Sequence, residues 1–369
     1  MKKRNSGRRI ILASFILLIC LPWLLWLLPG SVLPSENHEN RRLADMPKLR
    51  PGTYRRFASD FSDYLNDSMP FRNELVALNS GIDYYLFRTS PTSKVLLGKD
   101  GWLFYNNPGD GFSLDDYQGN NLLTEEELAR IAENCVRQRD TLASLGKPFL
   151  IFIAPNKERV YSEYMPSWCG EPAEHYRALQ VYSYLTEHTD LRVLYAYDEL
   201  MRAKSLVGEP LFYRTDTHWN AVGAYVGSRL LLRELGIALP GIESGQIGVL
   251  AQGGHTGDLA NLMNLGSRLS SGDPEYLVSG YPTHRLSEPD GDILTDFDCT
   301  AADADERKLY VLRDSFAIAM YPYLASQFRE SSFRHYSHDL HEDLLEKDPD
   351  IVVLEIVERK LDSLATFSV

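Results

Sequence analysis

Short runs of apolar residues, each about the length of a β-strand, recur along this chain of 369 residues. They lie at residues 149–154, 191–196, 309–312 and 351–356, and segments with helical periodicity separate them. A strand that is apolar at every position has to be covered on both of its faces. The pattern therefore predicts an α/β domain in which helices cover both faces of a mostly parallel sheet.

Other segments predict the elements around that sheet. Residues 124–127, Thr-Glu-Glu-Glu, offer a capping box that predicts a helix ending near Leu145. Apolar residues at helical spacing predict two helices within residues 54–87, separated at Met69-Pro70. Two glycines within residues 94–105 predict a hairpin. The segment from residue 53 to 369 is long enough for one large domain.

The first 30 residues predict a transmembrane anchor. Five basic side chains and no acidic one lie in the first nine positions, and residues 10–28 are uncharged and almost wholly apolar. At about 1.5 Å per residue, this stretch nearly spans a ~30 Å hydrocarbon core, with its positive flank in the cytoplasm. A cleaved signal peptide is the alternative, although its apolar run usually has only ~7–15 residues. Residues 31–52 predict an extended arm, because their prolines break any helix.

The charge of the chain restricts its partners. The net charge is −13, and it becomes −18 once the five basic residues of the amino terminus are set aside. This acidity argues against binding to nucleic acid and against a polybasic contact with anionic lipid. An acidic polysaccharide would need a local basic groove, for which the candidates are Lys157, Arg159, Arg313 and Arg359.

The cysteines predict neither a metal site nor a fixed disulfide. Cys20 lies in the predicted anchor, so Cys135, Cys169 and Cys299 could form at most one bridge, and the pair stays open. No Cys-x-x-Cys or His-rich spacing indicates a metal, and no cofactor is predicted.

Two short elements supply the groups of an acyl-transfer triad. Asp216 and His218 lie in one, and Ser315 lies in the other, between an apolar run and a predicted helix. A serine hydroxyl is a weak nucleophile, so it needs an imidazole to take its proton and a carboxylate to orient that imidazole. A strand-turn-helix presents its side chain at the carboxyl end of a sheet. We therefore predict Ser315 as nucleophile, His218 as base and Asp216 as the orienting acid.

Structural explanations for the same residues stay open at this point. Ser315 could cap the helix that follows it, because its side chain can accept a hydrogen bond from a first-turn amide. Asp216 or Thr217 could likewise cap a helix predicted at residues 219–235. His218 would then be an ordinary histidine with its hydrogen bonds satisfied.

The segment 211–220, Leu-Phe-Tyr-Arg-Thr-Asp-Thr-His-Trp-Asn, resembles the signature of the alginate O-acetyltransferases of the AlgX/AlgJ type. Their catalytic domain is SGNH-hydrolase-like, which implies a three-layer α/β/α fold. Further segments that resemble this family are residues 39–43, 98–104, 154–158, 257–259 and 354–359. The resemblance implies catalytic roles for Asp216, His218 and Ser315. The acid and the histidine precede the serine here, as in that group, and Arg313 replaces the glycine of the usual Gly-Asp-Ser.

The resemblance also implies a function and a location. We expect a single-pass inner-membrane protein whose catalytic domain faces the periplasm and acetylates hydroxyls of an exported polysaccharide, alginate or similar, through an acetyl-serine. Acetyl-CoA is cytoplasmic, so a multi-spanning membrane O-acyltransferase is the expected partner that supplies acetyl groups. The architecture is closer to the AlgJ-like type, because no carbohydrate-binding module is expected after the 354–359 segment.

Further residues are candidate oxyanion or substrate contacts. These are Tyr321, Asn156, Lys157 and Arg313. Tyr321 could equally be a core aromatic residue, and Asn156 could belong to an ordinary turn.

The same triad would serve an acetylesterase that uses water as acceptor. A non-catalytic assembly protein of a polysaccharide-modification complex is an alternative from another class, but it would not need all three triad residues.

Overall fold

The computed structural model describes residues 3–26, 44–50, 52, 54–68, 72–338 and 341–369. Contacts divide the chain into two compact units, Met1–Pro91 with Asn261–Leu265, and Thr92–Ala260 with Gly266–Val369. The predicted break at Met69-Pro70, the segment 39–43 and most of the predicted arm lie outside the described residues.

The regular secondary structure described in the first unit is helical. It contains α1 (Lys3–Trp26), α2 (Tyr54–Asp67), α3 (Arg72–Gly81) and a π-helical segment, Ile82–Phe87. The two helices predicted within residues 54–87 are confirmed. On α2, the ring of Phe61 stacks on those of Phe57 and Tyr64, at 5.8 and 6.3 Å between centroids, because these positions share one helix face. Within the described part of the chain, no helix combines the length and the apolar character needed to cross a membrane.

The second unit alternates strands and helices. Its strands are β1 (Val95–Leu97), β2 (Leu103–Tyr105), β3 (Phe149–Ala154), β4 (Val193–Tyr195), β5 (Gly248–Gln252), β6 (Glu275–Ser279), β7 (Arg285–Leu286), β8 (Asp290–Gly291), β9 (Phe297–Ala302), β10 (Asp305–Arg313), β11 (Phe328–His335) and β12 (Ile351–Val357). Its helices are α4 (Ser113–Gln118), α5 (Glu125–Ser144), α6 (Lys157–Val160), α7 (Arg177–His188), α8 (Tyr197–Leu206), α9 (Ala221–Glu234), α10 (Asp258–Leu262, whose last two residues belong to the first unit), α11 (Gly266–Leu269), α12 (Ala317–Ala325) and α13 (His341–Lys347).

One eight-stranded sheet forms the centre of this unit. Its order is β4-β3-β12-β10-β11-β9-β7, and β8 pairs with β9. The five strands from β4 to β11 are parallel to their neighbours, whereas β9 pairs antiparallel with β11, β7 and β8. The prediction of a mostly parallel sheet is thus confirmed for five strands, but the sheet as a whole is mixed. The predicted hairpin is present as the antiparallel pair β1–β2, and β5 and β6 form a second such pair.

Helices cover both faces of the sheet, as the apolar strands require. In β3, Phe152 packs in one cluster with Trp219 and residues of α9 and α12, whereas Ile151 packs in a second cluster with residues of α5 and α7. Every residue of β3 and of β12 is buried, which explains why both strands are apolar at nearly every position. Burial of each large apolar side chain in these strands contributes about 1.5–3 kcal/mol.

Capping residues set where two of these helices begin. The predicted capping box of α5 is confirmed: Thr124 accepts from the Glu127 amide, and the Glu127 carboxylate accepts from the Thr124 amide. Helix α9 begins at Ala221, because Asn220 Oδ1 accepts from the amides of Val222 and Gly223 at 2.9 and 3.2 Å. The alternative in which Asp216 or Thr217 caps this helix is therefore wrong.

Candidate active site

The carboxyl ends of three neighbouring strands meet at one edge of the sheet. Ser315 follows β10, Glu358 follows β12 and Asn156 follows β3. The Asn156 amide donates to the Glu358 carboxylate at 2.6 Å, which ties two of these strand ends together. Parallel strands place their following loops at one edge, where α/β proteins form their sites.

A tight loop carries Asp216 and His218. An isolated antiparallel bridge between Phe212 and Trp219 closes it, and the Asn220 amide donates to the Leu211 carbonyl at 3.0 Å. The Trp219 indole is fully buried, and its Nε1–H donates to the Phe316 carbonyl at 2.9 Å. That bond joins the loop to the residue after Ser315, so the two predicted elements are held together.

Asp216, His218 and Ser315 form a continuous hydrogen-bonded chain. His218 Nε2 lies 2.7 Å from Ser315 Oγ, and His218 Nδ1 lies 2.6 Å from Asp216 Oδ1. Both distances fall in the range expected for a base and its partners. The His218 side chain is 27% exposed, so solutes can reach it. The structure thus brings together the three residues predicted for a triad.

Two acidic residues, Asp314 and Glu355, form hydrogen bonds that hold the turn around Ser315. Asp314 accepts from the amides of Phe316 and Val357 at 2.8 and 2.7 Å, and its own amide donates to Glu355 at 3.1 Å. Burial, together with the charge of Asp314, raises the pKa of Glu355 well above its ordinary value. Because Asp314 rather than Ser315 accepts from the first amide of this turn, the Ser315 hydroxyl stays directed at His218.

The charges of the site favour a basic His218 beside an ionised Asp216. Burial acts to lower the pKa of His218, but the hydrogen bond to Asp216 and the charges of Asp216 and Asp258 outweigh it and raise that pKa. Burial acts to raise the pKa of Asp216, but hydrogen bonds from His218 and His255 hold it well below its usual value. An ionised carboxylate can stabilise the imidazolium that forms during proton transfer.

A second acid, Asp258, fixes the loop from the opposite side. Its amide donates to Asp216 Oδ2 at 2.8 Å, and its carboxylate accepts from the amide and hydroxyl of Thr217 at 2.8 and 2.6 Å. A side chain at Gly257 would place its Cβ 2.1 Å from the Thr215 carbonyl oxygen, so only glycine permits this approach. Sequence reasoning noted the segment 257–259 only as a family resemblance.

Asp216 and His218, together with Asp258, also form a set of ligand atoms that could hold a metal ion. Their ligand atoms all lie within 4.8 Å of one another. In this structure the same atoms are engaged in hydrogen bonds, Asp216 with both His218 and His255 and Asp258 with Thr217. Those bonds account for the close approach.

Two residues that sequence reasoning did not identify complete the surroundings of Asp216. His255 Nε2 lies 3.0 Å from Asp216 Oδ2, and His255 Nδ1 lies 2.7 Å from Glu275 Oε1. The local sequence carries no signal for this contact, because His255 is 39 residues from Asp216.

Lys157 and Asp273 hold the backbone of the loop. The buried Lys157 ammonium donates to the carbonyls of Tyr213, Arg214 and Asp216. The Asp273 carboxylate accepts from the Thr215 amide and hydroxyl, both at 2.7 Å. Lys157 therefore adjoins the site, but it bonds to protein carbonyls.

The four basic residues proposed for a surface groove are all buried. Burial of Arg159 and Arg313 places them against Tyr176 and Phe297 respectively, and Arg313 also donates to the carbonyls of Ile293 and Thr295. The prediction of a basic groove is therefore wrong. The four side chains proposed for it were those of Lys157, Arg159, Arg313 and Arg359.

The remaining predicted contacts lie in different surroundings. Asn156 is buried, and neither atom of its side-chain amide has a hydrogen-bond partner in the described residues. Tyr321 packs edge-on against Phe297 and Phe333, at 5.2 and 6.2 Å between ring centroids. Tyr321 thus sits as a core aromatic residue would, whereas Asn156 has an amide that can still bind a ligand.

The cysteines are free thiols in this structure. Cys135, Cys169 and Cys299 are each buried. Burial raises the pKa of Cys135 to about 12 and that of Cys299 to about 11. Neither side chain is a thiolate near neutral pH, which makes both poor nucleophiles.

Comparison with known proteins identifies relatives of this chain. The curated "Probable alginate O-acetylase AlgJ" of Azotobacter vinelandii is 28% identical over 217 residues, which are 57% of this chain and 52% of that protein. The protein of the same name from Pseudomonas putida is 32% identical over 159 residues, 41% of this chain and 36% of that protein. The chain thus spans about half or less of the length of these relatives.

A solved structure shares the fold. Bacillus cereus PatB1 has a TM-score of 0.53 with 15% sequence identity, and the match covers 74% of this chain and 99% of that one. At this identity the likeness supports the fold alone.

A family model covers more than half of the chain. The family described as "SGNH hydrolase-like domain, acetyltransferase AlgX" matches residues 95–298, a region that contains Asp216 and His218 and ends before Ser315. The α/β fold is therefore SGNH-like, and the resemblance seen at residues 211–220 is confirmed. This chain belongs to the SGNH hydrolase-like AlgX acetyltransferase family.

Proposed function

We propose that this protein is an O-acetyltransferase that transfers acetyl groups to the hydroxyls of an exported polysaccharide. The single observation that carries the proposal is the position of His218, hydrogen-bonded to Ser315 Oγ at 2.7 Å and to Asp216 at 2.6 Å. Membership of the AlgX family favours acetyl as the acyl group. The names of the curated relatives favour alginate or a similar polymer as acceptor.

The first half of the reaction forms an acetyl-serine. His218 Nε2 takes the proton of Ser315 Oγ while Oγ bonds to the carbonyl carbon of an acetyl donor. The tetrahedral intermediate then collapses, the bond to the donor oxygen breaks, and that oxygen takes the proton from the imidazolium. Asp216 stays ionised throughout and stabilises the charge on His218.

The second half transfers the acetyl group to the polymer. A sugar hydroxyl gives its proton to His218 Nε2 and attacks the acetyl carbon, and Ser315 Oγ leaves and regains a proton. Each donor to the oxyanion is typically worth about 10²–10³ in rate. The donors we propose are the Ser315 amide and the Asn156 side chain, which has no hydrogen-bond partner in the described part of the chain.

The charge pattern of the amino terminus and the chemistry of the donor support the location that we propose. We propose that the uncharged run 10–28 anchors the protein in the inner membrane and that the catalytic unit faces the periplasm. Acetyl-CoA does not reach that side, so a multi-spanning membrane O-acyltransferase supplies the acetyl groups.

The test uses the full-length chain in mild detergent with p-nitrophenyl acetate as donor and alginate oligosaccharides as acceptor. We expect p-nitrophenol release and a mass increase of the oligosaccharide by acetyl groups. Ser315→Ala should abolish both and leave the melting temperature unchanged. Ser228→Ala is the matched control, because Ser228 is a buried serine of α9 whose Oγ has no hydrogen-bond partner in the described residues.

Other outcomes would assign a different function. Free acetate without acetylated oligosaccharide would indicate an acetylesterase with the same triad. An inactive wild-type protein that still binds its membrane partner would indicate an assembly protein. A Ser315→Ala protein that is active but less stable would contradict the nucleophile, since a capping serine contributes about 0.5–2 kcal/mol to stability and nothing to catalysis.

A further inference from the structure

The Asp216 carboxylate lies between two histidines. His218 contacts Oδ1 at 2.6 Å, and His255 contacts Oδ2 at 3.0 Å. His255 is itself held by a second carboxylate, since its Nδ1 lies 2.7 Å from Glu275 Oε1. Both ring nitrogens of His255 thus face carboxylate oxygens, and only the imidazolium can donate a hydrogen bond from each.

The His255 ring is fixed in this position from several sides. The Tyr213 ring stacks on it, at 3.7 Å between centroids and 13° between planes, and the Tyr213 hydroxyl donates to the other oxygen of Glu275. The His255 amide donates to the Asp273 carbonyl at 2.6 Å. These contacts come from the loop that carries Asp216 and His218 (the triad loop), from β6 and from the turn before β6. The ring therefore has little freedom to rotate.

The groups around His255 favour its charged form. Burial acts to lower its pKa, but hydrogen bonds and charges of Asp216 and Glu275 raise that pKa to about 9. Asp258 and Asp273 are two further acidic residues bonded to the same loop, and the Lys157 ammonium donates to the loop's backbone carbonyls. The hydrogen bonds and charges of the two carboxylates thus favour the imidazolium form of His255.

We infer that His255 is a positioning residue of the active site, whose imidazolium orients Asp216 and offsets part of its charge, and thereby sets how readily His218 accepts the serine proton. This inference rests on the proposed triad function. Among the described residues His255 has no hydrogen bond to Ser315; it reaches the triad through its bond to Asp216 and through its charge.

Two substitutions should shift the basicity of His218 in opposite directions. His255→Gln keeps a donor for Asp216 but removes the cation, so Asp216 and Glu275 act on His218 without compensation and raise its pKa. Glu275→Gln removes one anion and leaves the cation, so the pKa of His218 falls. A residue with a merely structural role would lower stability in both variants without this opposed pair of shifts.

The experiment measures the full-length chain in detergent. The acid limb of kcat/KM against pH is recorded with p-nitrophenyl acetate, and His218 is titrated directly by NMR of ring-labelled histidine. For His255→Gln we expect the midpoint of the acid limb to move to a pH that is higher by about one unit. We also expect kcat to fall by about ten- to a hundredfold, as for other outer partners of a functional histidine, with KM changed less than about twofold. For Glu275→Gln the limb should move to lower pH, and His188→Gln, on the remote helix α7, should match the wild type.

Several results would overturn the inference. It fails if the His218 titration is unchanged in both variants, or if both variants shift it in the same direction. If His255→Gln does not fold, Glu275→Gln decides alone, because Glu275 is 45% exposed and we expect its substitution to leave the fold intact. If Ser315→Ala keeps full activity, the proposed triad fails, while the NMR titration still shows whether His255 controls His218.

Discussion

Glu355 has an unusual environment for a glutamate, because it is fully buried in β12 beside the turn that carries Ser315. Burial and the neighbouring Asp314 raise its pKa well above 4.5, which favours its protonated form in the folded protein. A protonated Glu355 can still accept the hydrogen bond from the Asp314 amide, and it supports the turn without placing its own charge in the core. Sequence reasoning recognised this residue only within a family segment, since its protonation depends on contacts made after folding.

Glu355→Gln should therefore stabilise the protein as the pH rises. The folded-state pKa of Glu355 lies above its unfolded value, so the wild type loses stability as the pH increases from 4.5 toward that folded pKa. Glutamine has nearly the shape of the protonated acid and does not titrate. We expect the melting temperature of the variant to match the wild type at pH 4 and to exceed it increasingly at higher pH.

The control for this prediction is Glu133→Gln, on the exposed face of α5. It should show no pH-dependent difference from the wild type. Equal stability of Glu355→Gln and wild type at pH 4 and pH 8 would mean that folding does not raise the pKa of Glu355.

At the scale of elements, the sequence predicted the strands whose whole surface is apolar and missed those that bury polar groups. Strand β11 was not predicted, because its buried Arg334 is stabilised by Asp298 and Asp343, which come from other elements. Strand β9 was missed too, since only alternate positions are buried. A single sequence does not reveal which distant acid will pair with a buried arginine.

The same limit divides the candidate site. The chemistry of Asp216, His218 and Ser315 was predictable, because a hydroxyl nucleophile requires a base and an acid wherever they lie in the chain. His255 was not predicted, because its contact with Asp216 joins two loops whose approach depends on the whole fold. The basic groove was predicted wrongly, since charge alone does not distinguish a buried cation from an exposed one.

The triad loop should depend on Lys157. Its fall in pKa from 10.5 to about 8, which burial causes, corresponds to about 3 kcal/mol of unfavourable charge burial at neutral pH. Lys157→Met removes that cost but leaves three loop carbonyls without their donor, at about 1–3 kcal/mol each. We expect a net loss of stability of about 3 kcal/mol.

The turnover rate of Lys157→Met should fall by at least about tenfold even at temperatures where the variant is folded, because a small displacement of the loop misplaces His218. Turnover of p-nitrophenyl acetate and thermal melting measure the two effects. Lys99→Met is the matched control, because the exposed Lys99 also donates to a carbonyl, that of Glu163. Full activity in Lys157→Met would show that the loop keeps its shape without this lysine.

At the scale of the whole molecule, the distribution of charge predicts its orientation. The first nine residues carry five positive charges, and the remainder carries a net −18. Positive charge beside an apolar run keeps that flank in the cytoplasm. We expect a reporter that works only in the periplasm to be active when fused after Val369, and the protein to stay with membranes after a high-salt wash.

A variant in which the five amino-terminal basic residues are replaced by glutamine tests whether these charges determine the orientation in the membrane. It should lose much of the periplasmic reporter signal, because the orientation signal is gone. A smaller, soluble mature form would indicate a cleaved signal peptide. A cytoplasmic carboxyl terminus would place the triad beside acetyl-CoA and contradict the exported-polymer assignment.

The position of β12 has a consequence for synthesis of the protein. It is the last strand along the described chain, yet it lies between β3 and β10 in the middle of the sheet. Until it is translated, those two strands have no partner between them, and the Ser315 turn lacks its bonds to Glu355 and Val357. We therefore expect a chain that contains Ser315 but not yet β12 to lack an ordered Ser315 turn, so that the site is completed only when this late segment has been made.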